Sequence, residues 1–469
     1  MVFSKYIKFT SSILLTLSVT NHLHASTFKT YTDDSNSFRS VLNENDVNQL
    51  PEKLKDKDSG KDAVLYILER ARIYQVNQQY QESLDTYKKA FELLEKQNNR
   101  AKFSVTRVGF KALSMMSNDS VVPYLVPPYE QVLAHISQAK NYIFLKDIEN
   151  AGVEMRIAQQ IQREIELDHE KELARKEEKL KSKMSSNSPK SEDDEVEDAK
   201  APSELNDALS GLDTIAGKIK NTYQNSYAFY MAANVWEALG EYNDALVDYK
   251  KAYELQPDEQ IAQDIKRVDQ LNLQKTSATT PVVIFIEQGL VPQKIEHKLT
   301  IPVPNGLINI AYATYEPKTY QTPQTINILL NNRKVQNSYV MSDIGALAVK
   351  QLKEHTLSTV SSQVARATTK YIAQQQLGQQ LGTLGQIAGN LLNASTEHAD
   401  LRSWSTLPSN TQVARLNLAP GTYNLQLDRF NSSASIPLTV QAGMNQPIFV
   451  YAYDVNNKIS ISSSNLVKP

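Results

Sequence analysis

Tyr80-Gln81-Glu82-Ser83-Leu84-Asp85-Thr86-Tyr87-Lys88-Lys89-Ala90-Phe91-Glu92-Leu93 returns as Tyr242-Asn243-Asp244-Ala245-Leu246-Val247-Asp248-Tyr249-Lys250-Lys251-Ala252-Tyr253-Glu254-Leu255. Phe229, Ala233 and Trp236 precede the second copy, and Pro257 follows it. A large residue, a small one and an aromatic, then alanine, aromatic, alanine and a closing proline, is tetratricopeptide spacing. The physical reason is close helix packing. Ala233, Ala245 and Ala252 let two antiparallel helices approach, while Trp236 and Tyr249 fill the gaps between them. The first copy carries Ala71, Tyr74, Ser83, Tyr87 and Ala90 at matching places but lacks the proline. A weaker unit between them, with Ala139, Tyr142, Ala151, Met155 and Ala158, keeps the same offsets. The expected helical domain covers residues 61–275, after an N-terminal segment at 26–60.

Outward from the repeats, Asp168–Lys183 interleaves acids and bases as a solvated helical extension would. Residues 184–203 lose apolar content and include an acidic run from Glu192 to Asp198, which reads as a disordered linker. The acids lack the spaced Asp/Asn–Gly pattern of a calcium loop. From residue 281 the period changes. Val282-Val283-Ile284-Phe285-Ile286 is the continuous apolar run of a buried strand. About eight strands are expected over 281–469, with Pro420-Gly421 placed for a type II turn. They suggest a small β-sandwich. A helical insertion without strand signals spans 342–394 and contains Gly378, Gly382, Gly385 and Gly389. Its glutamines argue against a membrane span and for close helix packing. The expected fold is thus α+β, a tetratricopeptide-like array followed by a sandwich-like domain.

At the N-terminus, Lys5 and Lys8 precede a short apolar core, Ile13–Val19, and Leu23-His24-Ala25 ends in a small residue. Residues 1–25 read as a cleaved signal peptide. The chain contains no cysteine, so lipid attachment, disulfides and thiolate metal sites are all excluded. The expected location is the periplasm, with no integral span after cleavage. Lys+Arg (50) and Asp+Glu (52) nearly cancel, so no global field marks a nucleic-acid binder.

Catalytic patterns are missing from the sequence. His135, His169, His297, His355 and His398 do not pair at helical metal-site spacing, and neither a nucleophile elbow nor a phosphate loop occurs. No catalytic, cofactor or metal residue is therefore assigned. The best contact candidate is Asp400, Arg402 and Trp404, whose indole could stack on a sugar or peptide. The equal alternative buries Trp404 and pairs Asp400 with Arg402 to hold the helical insertion.

Several stretches carry a resemblance to a known group. They include Tyr129-Glu130, Asn141-Tyr142, Ala151–Arg156, Asn225–Tyr230, Glu237–Gly240, Glu287-Gln288-Gly289, Pro292, Lys294, Asp343, and Arg366 with Lys370. The most specific is Ala399-Asp400-Leu401-Arg402-Ser403-Trp404-Ser405-Thr406-Leu407-Pro408, with Arg415 and Gly421 beyond it. On these the chain resembles a family of bacterial envelope proteins with tetratricopeptide-like helices and a C-terminal β domain, often lipoproteins. Members have no assigned reaction. Their genes often neighbour one for an outer-membrane lipoprotein that activates penicillin-binding proteins. The resemblance implies, by analogy, a part in peptidoglycan or envelope maintenance. Together with the repeats and the missing catalytic motifs it leads to the expectation of a non-catalytic scaffold for envelope proteins, among them the peptidoglycan synthesis machinery, or for peptidoglycan itself. This chain departs from the usual member in lacking the lipidated cysteine. The alternative expectation is an envelope hydrolase or glycan-binding protein whose carboxylates the sequence does not single out.

Overall fold

Three helical hairpins among the described residues turn in the same way. A computed structural model describes residues 31–44, 54, 56–103, 123–185, 203–272, 278–303, 306–357, 360–361, 399–442, 446–456 and 458–465. After α1 (Tyr31–Glu44) come the pairs α2 (Ala63–Val76) with α3 (Tyr80–Phe103) and α4 (Pro128–Phe144) with α5 (Ile148–Ser185). The short α6 (Ser203–Leu209) and α7 (Asp213–Ala216) lead to a third pair, α8 (Ser226–Leu239) with α9 (Tyr242–Leu255), and then α10 (Glu259–Asn272). In the three turns the amides of Gln79, Asp147 and Glu241 donate to the carbonyls of Tyr74, Tyr142 and Trp236, at 2.9, 2.8 and 2.8 Å. This is the six-to-one bond of a Schellman cap, which needs one residue at positive φ. Gln78, Lys146 and Gly240 take that conformation, and only the glycine does so without steric cost.

Burial divides the helices into two kinds. The first helix of each pair is buried all round: 13 of 14 residues in α2, 14 of 17 in α4 and 13 of 14 in α8. By contrast α9 buries only Ala245, Asp248, Tyr249 and Ala252. Ala71, Tyr87, Ala90, Ala233 and Trp236 are buried as well, Tyr74 is half-buried, and Pro257 is exposed. A second helix therefore covers one side of each first helix, and something else must cover the other.

That cover is a sheet. β1 (Thr280–Gln288) lies at the centre of a five-stranded sheet, parallel to β10 (Ile448–Val455) and antiparallel to β7 (Asn410–Leu418). β11 (Lys458–Ser463) flanks β10, and β6 (Tyr339–Asp343) flanks β7 as the outer strand. Alternation then assigns the faces. Val283, Phe285, Val413, Phe449, Tyr451 and Tyr453 share one hydrophobic cluster with the helices. Val282, Ile284, Ile286, Ala414, Leu416, Ile448 and Val450 share another with a second sheet. The second sheet has the order β5-β4-β8-β9, built from β4 (Asn327–Leu330), β5 (Arg333–Asn337), β8 (Gly421–Arg429) and β9 (Ser432–Val440). β2 (Lys294–Val303) and β3 (Gly306–Tyr315) form a separate hairpin, and residues 344–357 form α11. The result is a mixed α and β molecule.

Several expectations need revision. Eleven strands occur among the described residues rather than about eight. β5 and β11 were not anticipated, and β6 carries the sheet to Asp343, so the helix begins at 344 rather than 342. Gly421 has φ of 159°, extended rather than the roughly +80° of a type II turn. The expected linker 184–203 is shorter at both ends, since 184–185 finish α5 and Ser203 begins α6. Its residues 186–202, the expected signal peptide 1–25 and the glycines Gly378–Gly389 lie outside the described residues.

Ala252 has no exposed surface in the seam between α9 and its neighbours. Ala252→Trp should cost at least the ~1–3 kcal/mol typical of overpacking, and more for so large a side chain. Chemical denaturation followed by circular dichroism measures this. A wild-type midpoint would show that the helix faces are misassigned.

Candidate functional site

Residues 399–409 lead into β7 without regular structure. Their backbone polar groups therefore need side-chain partners. Glu69, in the middle of α2, supplies two of them and binds two hydroxyls beside them. Its carboxylate accepts from Ser405 N at 2.6 Å, Ser405 Oγ at 2.8 Å, Thr406 N at 3.2 Å and the Thr406 hydroxyl. The Tyr31 hydroxyl lies 2.5 Å from Glu69 and 2.7 Å from the Ser403 carbonyl, and Arg39 Nη1 donates to Ser405 O at 2.7 Å. Glu130 of α4 accepts from Trp404 N at 3.2 Å and from the Tyr124 hydroxyl at 2.7 Å. Burial raises both carboxyls, and these hydrogen bonds pull against it.

The three candidate contact residues fall within this segment. Trp404 is 0% exposed, edge-on to Tyr87 of α3 with ring centroids 6.1 Å apart, so its indole offers no face to a ligand. Arg402 grips Asp400 through Nε at 2.8 Å and Nη2 at 2.6 Å, and Asp62 through Nη1 at 2.6 Å. Against burial, Arg402 holds the Asp400 carboxyl below its ordinary value. Asp62 immediately precedes α2, so this pair ties the segment to the helical pairs.

Two ionic clusters that the sequence reading did not assign join helices to sheet. Glu287 of β1 faces the helices and is bonded to Arg72 of α2 and Lys140 of α4. Tyr451 of β10 donates to Glu287 at 2.6 Å and accepts from Arg72 at 3.0 Å. Burial alone would raise the Glu287 carboxyl, but Arg72 and Lys140 outweigh it and hold it at about 2. Burial lowers Lys140 to about 8 despite the pull of Glu287. In the second cluster Arg415 of β7 reaches Asn234 at 2.7 Å, Tyr249 at 2.9 Å and Glu237 at 3.0 Å. Arg267 of α10 completes it with two 2.6 Å bonds to Glu237, whose carboxyl the two arginines hold at about 2 against burial. The signal for these residues was a charge set within an apolar run, as in Ile286-Glu287 or Leu68-Glu69. Periodicity alone does not say which partner such a charge meets.

The concavity left open lies elsewhere. A cleft of about 280 Å³ runs between the 217–225 connection, the C-terminal end of α9 and strand β6, with Lys218, Lys220 and Asp343 among its lining residues. Among the described residues no group of three or more His, Asp or Glu side chains is placed to hold a metal ion, and no helix is long and apolar enough to cross a membrane. Comparison with protein-family models, curated protein sequences and solved structures finds no match.

The Glu287 cluster generates an asymmetry. Glu287→Gln leaves two buried cations facing each other and should cost ~3–5 kcal/mol, whereas Lys140→Met leaves a one-to-one pair and should cost far less. Equal losses in urea denaturation would contradict the charge arithmetic. The pH effect has a definite sign. Glu237 and Glu287 titrate near 2 when folded against an ordinary 4.5, so the unfolded chain binds more protons between those values. The stability that these two carboxylates supply should be present above about 4.5 and be lost as pH drops toward 2, read as a melting-temperature gap between the wild type and Glu287→Gln that narrows with acid.

Proposed function

We propose that the chain is an exported, non-catalytic scaffold that binds partner proteins and supports the integrity of the bacterial cell envelope. In this reading the three helical pairs are tetratricopeptide-like repeats, and the two sheets that share a core form a sandwich. The observation that carries it is the all-round burial of α2, α4 and α8 between their partner helices and the sheet. A molecule organised this way holds its outer helices as a fixed surface, the property a scaffold needs. The leader-like residues 1–25 and the resemblance to envelope proteins supply the compartment. Peptidoglycan-building proteins are the partners that the resemblance suggests.

The burial also redirects where a partner would bind. Tetratricopeptide arrays commonly present the first helices of their repeats to an extended ligand. In this chain that side is taken up by β1, β7, β10 and residues 399–409. Partners would instead meet the second helices, where Val247 and Tyr253 of α9 are exposed, or the open cleft.

Deletion of the gene tests this reading. Cells lacking the protein should lyse on osmotic downshift and become sensitive to detergent and wall-active antibiotics. Crosslinking in envelope extracts should capture partners on α9, and a Val247→Glu variant should lose them while folding normally. Wild-type osmotic tolerance and detergent resistance in the deletion strain would overturn the envelope role. Release of labelled fragments from peptidoglycan by the purified protein would overturn the non-catalytic assignment.

A further inference from the structure

The cleft beside β6 is lined by four consecutive strand residues, Val340, Met341, Ser342 and Asp343. Side chains of a strand alternate between faces, so a consecutive run lines one cleft through its shared backbone edge. β6 is the outer strand of its sheet and is bonded to β7 alone, with a register shift between Val340 and Ser342. One outward group is already used, since the Ser226 hydroxyl donates to the Met341 carbonyl. An edge strand of this kind is the surface on which an extended peptide adds by main-chain hydrogen bonds.

The charges around that edge are asymmetric. Lys218 and Lys220 are exposed at the rim on the 217–225 connection. Each ammonium has a neutral oxygen as its hydrogen-bond acceptor: Lys218 Nζ lies 3.0 Å from the Tyr320 hydroxyl, and Lys220 Nζ lies 3.2 Å from the Glu254 carbonyl. An ammonium carries three donors, so both retain capacity for an anion. The acid in the cleft is committed. Asp343 accepts from the Tyr320 hydroxyl with one oxygen and from Ala346 N at 2.8 Å with the other, capping α11. Ile219, Leu255 and Leu347 add apolar surface. The cleft is close to the lower limit of ligand pockets, ~300 Å³, which suits a short segment rather than a large molecule.

We infer that this cleft is a docking site for the C-terminal end of an extended peptide, which pairs with the β6 edge and places its carboxylate between Lys218 and Lys220. The inference rests on the scaffold reading only in naming what a partner presents. Binding to purified protein is read separately from any envelope phenotype.

The test uses the full chain and a fluorescein-labelled tetrapeptide, Val-Thr-Val-Val, with a free C-terminus. Anisotropy should show saturable binding that the unlabelled peptide competes away. The C-terminal amide and the peptide N-methylated at alternate backbone nitrogens should each bind at least tenfold more weakly. The first change removes the anion, and the second removes the main-chain donors. The Lys218→Gln, Lys220→Gln double variant, whose changes are on the exposed rim, should lose at least tenfold for the free acid but little for the amide. Equal binding of the N-methylated peptide would overturn strand addition. Unchanged affinity in the double variant would overturn the carboxylate placement. No saturable binding at millimolar peptide would overturn the site, whatever the deletion strain shows.

Discussion

The carboxylate of Glu287 lies in the central strand of a sheet with both faces covered, and two cations from two different helices meet it there. An isolated charge in such a place costs several kcal/mol of lost hydration, so the strand can be buried only if α2 and α4 arrive together. This couples the helices to the sheet more tightly than apolar packing would, because apolar surfaces tolerate sliding and a buried ion pair does not. It also sets register. A slip of one residue in β1 would turn Glu287 into the apolar core shared with the second sheet and bring Ile286 against Arg72. Arg415 plays the matching part on the neighbouring strand, with its cation on the sheet and the carboxylates on α8 and α10.

Much of the architecture was legible because its signals are local. The repeated alanine and aromatic positions report helix crossing, and Val282–Ile286 reports a strand covered on both faces, since a half-exposed strand would alternate. β5 was not legible because Arg333–Asn337 is almost entirely exposed and carries no apolar pattern. β11, Lys458–Ser463, does alternate, with Ile459 and Ile461 packed on the core between the sheets, but two isoleucines are a short signal and pairing with β10 fixes its place. Trp404 shows the other limit. Whether an indole stacks on a ligand or fills a core depends on what lies opposite, and its neighbour Tyr87 is more than three hundred residues away in sequence. Glu69, Glu130 and Glu287 stood in apolar runs without visible partners for the same reason.

The residues on which the expected resemblance to envelope proteins rests have a physical role of their own once their partners are seen. Glu237, Glu287 and Arg415, which help to carry that resemblance, make the buried ionic contacts between helices and sheet, and Glu130 and Lys294 hold the backbone of the 399–409 segment. The 400–408 stretch is in turn tied to the helical pairs through Glu69 and Asp62. These residues therefore speak for the assembly of layers. They do not by themselves mark a surface for a ligand.

Residues 399–409 have the form of a captured peptide. They have no regular structure and turn at 405–406, several of their amides and hydroxyls are taken by carboxylates, and an aromatic anchor is sunk among the helices. The helical pairs thus hold a segment of the same molecule. Displacing that segment would take four donors from Glu69 and one from Glu130, leaving them the Tyr31, Tyr124 and Tyr129 hydroxyls in a buried site, a penalty of a few kcal/mol for each group left unsatisfied. A competing partner would have to match every one of those bonds and bury an indole as well. In the scaffold reading, recognition would therefore fall to outer surfaces, such as the exposed Val247 and Tyr253 of α9 or the cleft whose rim carries Lys218 and Lys220.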